Sequence, residues 1–548
     1  MDTKRLILFV IFSFSILMLW DAWQSQHIPQ PGSVETQQTL DASIPQAAKD
    51  VSSAQQSDLP KEADFQLQKG QRITVETDLF KADIDTVGGD LRKLELTQHR
   101  AADANDKNFV LLDDAATPMV YVAQTGLIGG DLPTHKTVFT SSATNYKMQD
   151  GSDKLEVRLS WTGNTTQVDK IYTFHRGNYA VNVTYRIHNN SNAPIQPSVY
   201  YQIVHDNVSN QGSRMMPTFT GGAYYDETDK YKKLSFKDMA KTNLSKNTKD
   251  GWIGLVQHYF VSAWVPEEGL AREFYTKQLS DTIFSIGSLS HLSSIAPGAT
   301  VSVEAKFYAG PQTHSDLTAT APGLEYTVDY GWLTVIASPL FWVLSAIEKL
   351  VHNWGVAIII LTMLLKLAFY PLSAASYRSM AQMRELAPRL QSLKEKFGDD
   401  RQKLQQAMME LYKTEKINPM GGCLPVLVQI PVFISLYWVL LGTVEMRHAP
   451  FALWIHDLSA IDPYYVLPLL MGATMIIQSR LNPTPPDPIQ AKVMMIMPVV
   501  FSIFFFFFPA GLVLYWLVNN VLSIAQQQYI NRNMEKASAA KRKGNVGR

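Results

Sequence analysis

The sequence predicts a multi-pass α-helical membrane protein, with six transmembrane helices, five of them forming a core, and a large all-β domain on the outer side. Three observations predict it: apolar runs near the length of a bilayer core at both ends, period-two alternation between them, and basic residues gathered in alternate loops. Averages hide this division. The chain of 548 residues is 46% hydrophobic, and its 49 Lys+Arg balance 49 Asp+Glu, so net charge neither favours nor excludes a nucleic-acid or membrane partner.

The first run, Leu6 to Trp20, follows Lys4 and Arg5 and is trailed by DAWQSQ, which has no small-x-small cleavage site. Residues 1–24 are therefore expected to be an uncleaved anchor with its N-terminus inside; a cleaved signal is the alternative. Residues 25–62, rich in Gln, Ser, Ala, Asp and Pro, cannot build a core and read as a flexible linker. From 63 to 320, stretches such as RITVET, KLEVRLSW, YAVNVTYRI and TVSVEAKFYA alternate between Gly, Asn and Asp turns. This is an antiparallel β-sandwich, large enough for a super-sandwich, though alternation does not choose the topology. The sole cysteine, Cys423, excludes an internal disulfide.

Residues 333–352, LTVIASPLFWVLSAIEKLV and the following His, mix apolar residues with Glu348 and Lys349 and read as a helix lying in the outer interface. A seventh span is the competing reading. The core, 353–530, places spans near 353–372, 421–444, 464–479, 493–508 and 511–530. With the N-terminus inside, the inner segments hold nineteen Lys/Arg and the short outer loops only Arg447, which supports inner N- and C-termini.

The inner segment 373–419 carries Met380, Met383, Leu390, Leu393 and Phe397 at helical steps, breaks at GDD (398–400), and resumes with Leu404, Met408, Met409 and Leu411. It is expected to be a hairpin of two amphipathic helices. Its apolar stripes either hold the helices together or offer Met380, Met383, Met408 and Met409 as an adaptable surface for hydrophobic chains. The tail, 531–548, has six basic residues and one acidic, which suits ribosomal RNA, anionic lipid, or simply an inner topology signal.

Lys366 stands within a span, where a charge costs at least about 3 kcal/mol and needs a reason. It lies twelve residues from Trp354, roughly 18 Å along a helix, so snorkelling alone does not bring it to water. The predicted spans contain neither Asp nor Glu nor His, which disfavours an ion pair and a proton relay. No GxxxxGK[ST] stretch supports ATP hydrolysis. Polar residues elsewhere, Thr362, Gln429, Gln478, Trp516, Asn519 or Asn520, Ser523 and Gln527, can wall a hydrated groove with Lys366 or merely bond neighbouring helices.

The stretches NPMGGCLPVLVQIPVF (418–433), APFALWIHDLSAIDPYYVLP (449–468) and FPAGLVLYWLVNN (508–520) resemble the YidC/Oxa1/Alb3 membrane protein insertases. GWIGLVQHYFVSAWVP (251–266) and YGWLTVIASPLFWVL (330–344) are similar to the Gram-negative YidC form, whose first span and periplasmic domain are additions to the core. The resemblance implies a periplasmic β-super-sandwich of galactose-mutarotase-like fold, an inner-membrane location, and a positively charged groove open to cytoplasm and lipid. It implies an insertase and chaperone for nascent membrane proteins, working alone or beside the Sec translocon, with ribosome and lipids as further partners and no enzyme activity, cofactor, metal or small-molecule substrate. The family's groove charge falls on Lys366, with Thr362 beside it and the aromatic of the last span on Trp516. Many relatives carry arginine at the first of these; lysine keeps the charge without the planar fork. A small-anion transporter and a sugar-processing outer domain are the competing functions.

Overall fold

The computed structural model describes residues 67–101, 107–116, 119–207, 218–398, 400–415, 424–482 and 488–546. The expected anchor (1–24) and linker (25–62), and Cys423, lie outside the described residues. The chain divides into a β unit that ends at Asp329 and a helical unit that begins at Tyr330.

Between Arg72 and Pro311 the β unit forms two large sheets, of ten and nine strands among the described residues. Alternation is visible where one face meets the core, as in Arg72–Glu76, whose Ile73 and Val75 are buried while their neighbours are half-buried. It vanishes at the centre. Strand Ser198–Asp206, bonded to Met119–Ile128 on one side and Ile283–His291 on the other, is buried along its whole length. The sheets pack face to face: Trp264 of the nine-stranded sheet donates its indole N–H to the Gln202 carbonyl of the other (3.1 Å), and its ring lies 5.1 Å from Tyr201. Trp252, Trp264, Tyr172, Tyr185 and Tyr201 are all fully buried, each worth roughly 2–3 kcal/mol of apolar burial. Two short helices, α1 (Phe236–Lys241, capped by Ser235) and α2 (His314–Thr320), complete the unit.

Charges inside this sandwich find partners among their own neighbours. Asp90 and Arg92 pair at 3.1 Å, and Gln124 donates to Asp90 (2.9 Å) and accepts from Gln202 (3.0 Å). The Lys170 ammonium donates to the Gly88 carbonyl (3.0 Å). Burial pushes the Asp90 carboxyl up to about 6 and the Lys170 ammonium down to about 7, each held back by opposite charge nearby. Gly88 has φ +77°, and a Cβ there would meet the His135 carbonyl at 2.4 Å, so this turn requires glycine. Arg272, 3% exposed, donates to five carbonyls, those of Lys249, Gly251, Pro266, Glu267 and Leu270.

The helical unit contains α3 (Thr334–Val351), α4 (Trp354–Ala368), α5 (Tyr370–Phe397), α6 (Arg401–Thr414), α7 (Leu424–Gly442), α8 (Val466–Leu481), α9 (Pro488–Phe505) and α10 (Ala510–Val546). Among the described residues, Gly331–Val351 is the one unbroken helix long and apolar enough to cross a membrane by length and composition, and its Trp332, Val335, Trp342 and Leu350 are exposed. The span expected at 353–372 is not one straight helix. It stops at Ala368 and bends by 66° into α5, because Pro371 restricts the residues before it and removes a donor. Where spans were expected near 421–444, 464–479 and 493–508, the apolar helices α7, α8 and α9 run for 19, 16 and 18 residues. The basic tail, expected as a separate segment from 531, continues α10 without a break to Val546. The 37 residues of α10 make a rod of about 55 Å.

Close approaches fix this bundle. A Cβ on Gly472 of α8 would meet the Ser502 hydroxyl of α9 at 2.6 Å, and one on Gly355 would strike the Phe451 ring at 2.1 Å. The loop 445–465 ties down one end: Gly511 N–H donates to the Leu458 carbonyl (2.9 Å), Ala510 N–H to that of Ala460 (2.7 Å), and the Asn353 side chain to that of Phe451 (2.9 Å). Buried Asp462 accepts from the Trp454 indole (2.9 Å) and from the backbone N–H of Tyr464 (3.0 Å) and Leu467 (2.7 Å), capping α8. The hairpin expected at 373–419 is present as α5 and α6, with Asp400 capping α6 and Arg389 pairing Glu415 at 2.5 Å.

Candidate functional site

Residues of α4, α5, α7, α8, α9 and α10 line a half-open cavity of about 730 Å³. The elements deliver its lining by helical periodicity. Ser373 lies three residues before Ser376 and four before Tyr377, and Met380 follows these two at four and three, so all share one face of α5; Gln429 and Phe433 share a face of α7; Trp516, Asn519, Asn520 and Ser523 share one of α10. Met475, Met494, Met497 and Phe501 supply an apolar wall.

Lys366 comes from the last turn of α4 and is 8% exposed. Its ammonium donates to the Ser523 hydroxyl at 2.7 Å. Ser523 in turn donates to the Asn519 carbonyl one turn earlier (2.7 Å), and the Asn519 side chain accepts from the Gln429 amide (2.8 Å). A hydrogen-bonded chain thus links α4, α10 and α7. Among the described residues no carboxylate pairs with Lys366.

Of the five residues expected at a groove, Lys366, Gln429, Trp516 and Asn519 line this cavity. Thr362 does not. It borders an adjoining pocket of about 10 Å³, near the space one water needs, which also touches Lys366, and its hydroxyl donates to the Ile358 carbonyl (2.6 Å). Trp516 is held by Phe433, edge-on at 4.3 Å, and by Phe505 at 5.0 Å. Gln478 joins the lining, whereas Gln527 bonds the Leu481 carbonyl and Asn482 and so fastens α10 to α8. The four hairpin methionines part company: Met380 belongs to the cavity, Met383 and Met408 are half-buried, and Met409 is 50% exposed. Ser373, Ser376 and Tyr377 were missed, although their spacing with Met380 continues the same stripe towards Pro371.

The helical unit is thus a bundle of apolar helices around a largely apolar cavity that carries one nearly buried ammonium, in one chain with a large β-sandwich. Comparison with known proteins names the class. Residues 72–343 match the family described as the YidC periplasmic domain, and residues 346–537 match the 60Kd inner membrane protein family. A membrane protein insertase YidC of Methylobacillus flagellatus is 72% identical over the full length of both chains, and one of Nitrosospira multiformis is 51% identical over 98% of each. A crystal structure of an active YidC insertase with its first transmembrane domain resolved aligns with 84% of this chain and 92% of that one at 19% identity, with a TM-score of 0.39, too distant a likeness to add weight. The chain belongs to the YidC family of membrane protein insertases.

Proposed function

We infer that this protein inserts membrane proteins into the inner membrane of a bacterium and helps them fold, using the cavity around Lys366 as a transient polar stopping place. One observation carries the reading: a single ammonium at the wall of a cavity of about 730 Å³, bonded to a hydroxyl and opposed by no carboxylate among the described residues. A client's polar tail that enters such a cavity keeps part of its hydration and gains attraction for its acidic residues, which lowers the cost of crossing. Its apolar segment then moves into lipid, gaining roughly 25 cal/mol for each Å² removed from water.

The basic loops support a cytoplasmic N- and C-terminus and a periplasmic β domain. In that orientation the cavity lies towards the cytoplasm, the 445–465 loop covers the periplasmic end, and Gly331–Val351 lies along the outer interface with its tryptophans at headgroup depth. The α5–α6 hairpin, with Met383, Met408 and Met409, and the basic end of α10 face ribosome, nascent chain and anionic lipid. Work beside the Sec translocon belongs to the same reading, and no enzymatic step, cofactor or metal enters it.

The test replaces Lys366 by Arg, Glu or Ala in cells depleted of their own insertase. Arg should sustain growth and Glu should not, with Ala between them. Growth on Glu equal to that on Lys would sink the electrostatic mechanism.

A further inference from the structure

The Lys366 side chain is long enough to lean in several directions, and a lysine near a membrane edge drifts towards headgroups unless something holds it. The structure shows what holds it. Ser523 accepts from the Lys366 ammonium at 2.7 Å and is itself fixed by its bond to the Asn519 carbonyl at 2.7 Å. The Tyr377 hydroxyl lies against it as well. Ser523 is 4% exposed, so neither it nor the ammonium can turn to bulk water without breaking the contact.

We propose that Ser523 is the positioning residue for the insertase charge: its hydroxyl aims the Lys366 ammonium into the cavity without neutralising it. An ammonium has three donors, and the hydroxyl takes one. The others remain for the client. A carboxylate at 523 would hold the lysine equally well but would cancel its charge. A methyl group would cancel nothing and hold nothing. A hydroxyl does the one without the other, which distinguishes this position from the Gln429–Asn519 pair, where an amide bonds an amide and no charge is involved. The proposal rests on the groove reading given above and adds the residue that sets the direction of the charge.

The experiment compares two clients in depleted cells that carry the full-length protein: one with an acidic translocated tail, and the same one with those acids changed to Gln and Asn. Insertion is scored per molecule of insertase in the membrane, and the readout is the ratio of acidic to neutral client. S523A should lower that ratio about tenfold, the scale of one hydrogen bond to a charged group. S523T, which keeps the hydroxyl, should restore it. S523D should abolish preference for the acidic client. An unchanged ratio in S523A, or an equal loss on both clients, would show Ser523 to be merely structural and overturn the proposal, as would an undiminished preference in S523D. K366E is run beside them. If it loses the acidic client while S523A does not, the Ser523 assignment alone falls; if K366E handles both clients normally, the groove reading falls with it.

Discussion

Arg272 in the β unit and Lys366 in the helical unit are both nearly buried cations, 3% and 8% exposed, yet their surroundings differ in kind. Arg272 spends its donors on five backbone carbonyls. Lys366 has one hydroxyl. A buried charge closed by its own fold contributes architecture, whereas one left partly open keeps an interaction in reserve for a visitor. The Asp90–Arg92–Gln124 cluster stands nearer to Arg272 than to Lys366, because Asp90 meets a guanidinium and an amide of its own domain.

This contrast predicts a graded series of effects. Arg272→Ala should be the most damaging, costing about 3 kcal/mol of β-unit stability because it strands several buried carbonyls. Thermal unfolding of the full-length protein in detergent measures it, and an unshifted transition would break the comparison from the architectural side. Asp462→Ala should cost about 2 kcal/mol through loss of the α8 cap and the Trp454 bond, read as faster hydrogen exchange in 445–470.

The Asp90 carboxyl gives a pH signature. Its folded value is raised to about 6, so between about pH 4 and 6 the folded protein holds a proton that the unfolded chain has released. Stability therefore falls as pH rises through that window, by about 3 kcal/mol, and D90N should flatten the profile. Lys366→Met should change helical-unit stability by less than about 1 kcal/mol, since a lysine replaced by an apolar residue of similar length leaves little stranded, while insertion of acidic clients drops. A large loss of stability in that variant would make Lys366 architectural and erase the distinction. Smallest is Arg389→Ala, which removes an exposed ion pair on the hairpin and should shift stability by under about 0.5 kcal/mol.

Much of this was legible from residues alone. Alternation announced the β unit because most strands bury one face, and it failed at Ser198–Asp206 because a central strand buries both. Lys366, Gln429, Trp516 and Asn519 converge as expected, since a polar residue in an apolar helix turns inward. The bond from Lys366 to Ser523 was not legible, because a serine in a helix reads equally as a wall, a helix–helix tie or a backbone bond. Met380 was placed on the hairpin surface because a stripe records that a face is apolar, not what it meets. The bend at Phe369 had a written signal in Pro371, overlooked because hydropathy runs smoothly through it. The end of the last helix was set at 530 on a change of charge, but charge does not stop a helix; Gly and Pro do, and neither occurs between Leu512 and Lys543.

That unbroken helix has a mechanical consequence. Trp516, Asn519 and Ser523 sit near one end of α10 and the basic residues from Arg532 onward near the other, with no hinge between them. A helix of this kind is stiff in torsion. A twist applied where the basic end is gripped arrives at Ser523 as a rotation of the same rod, like a key turned in a lock.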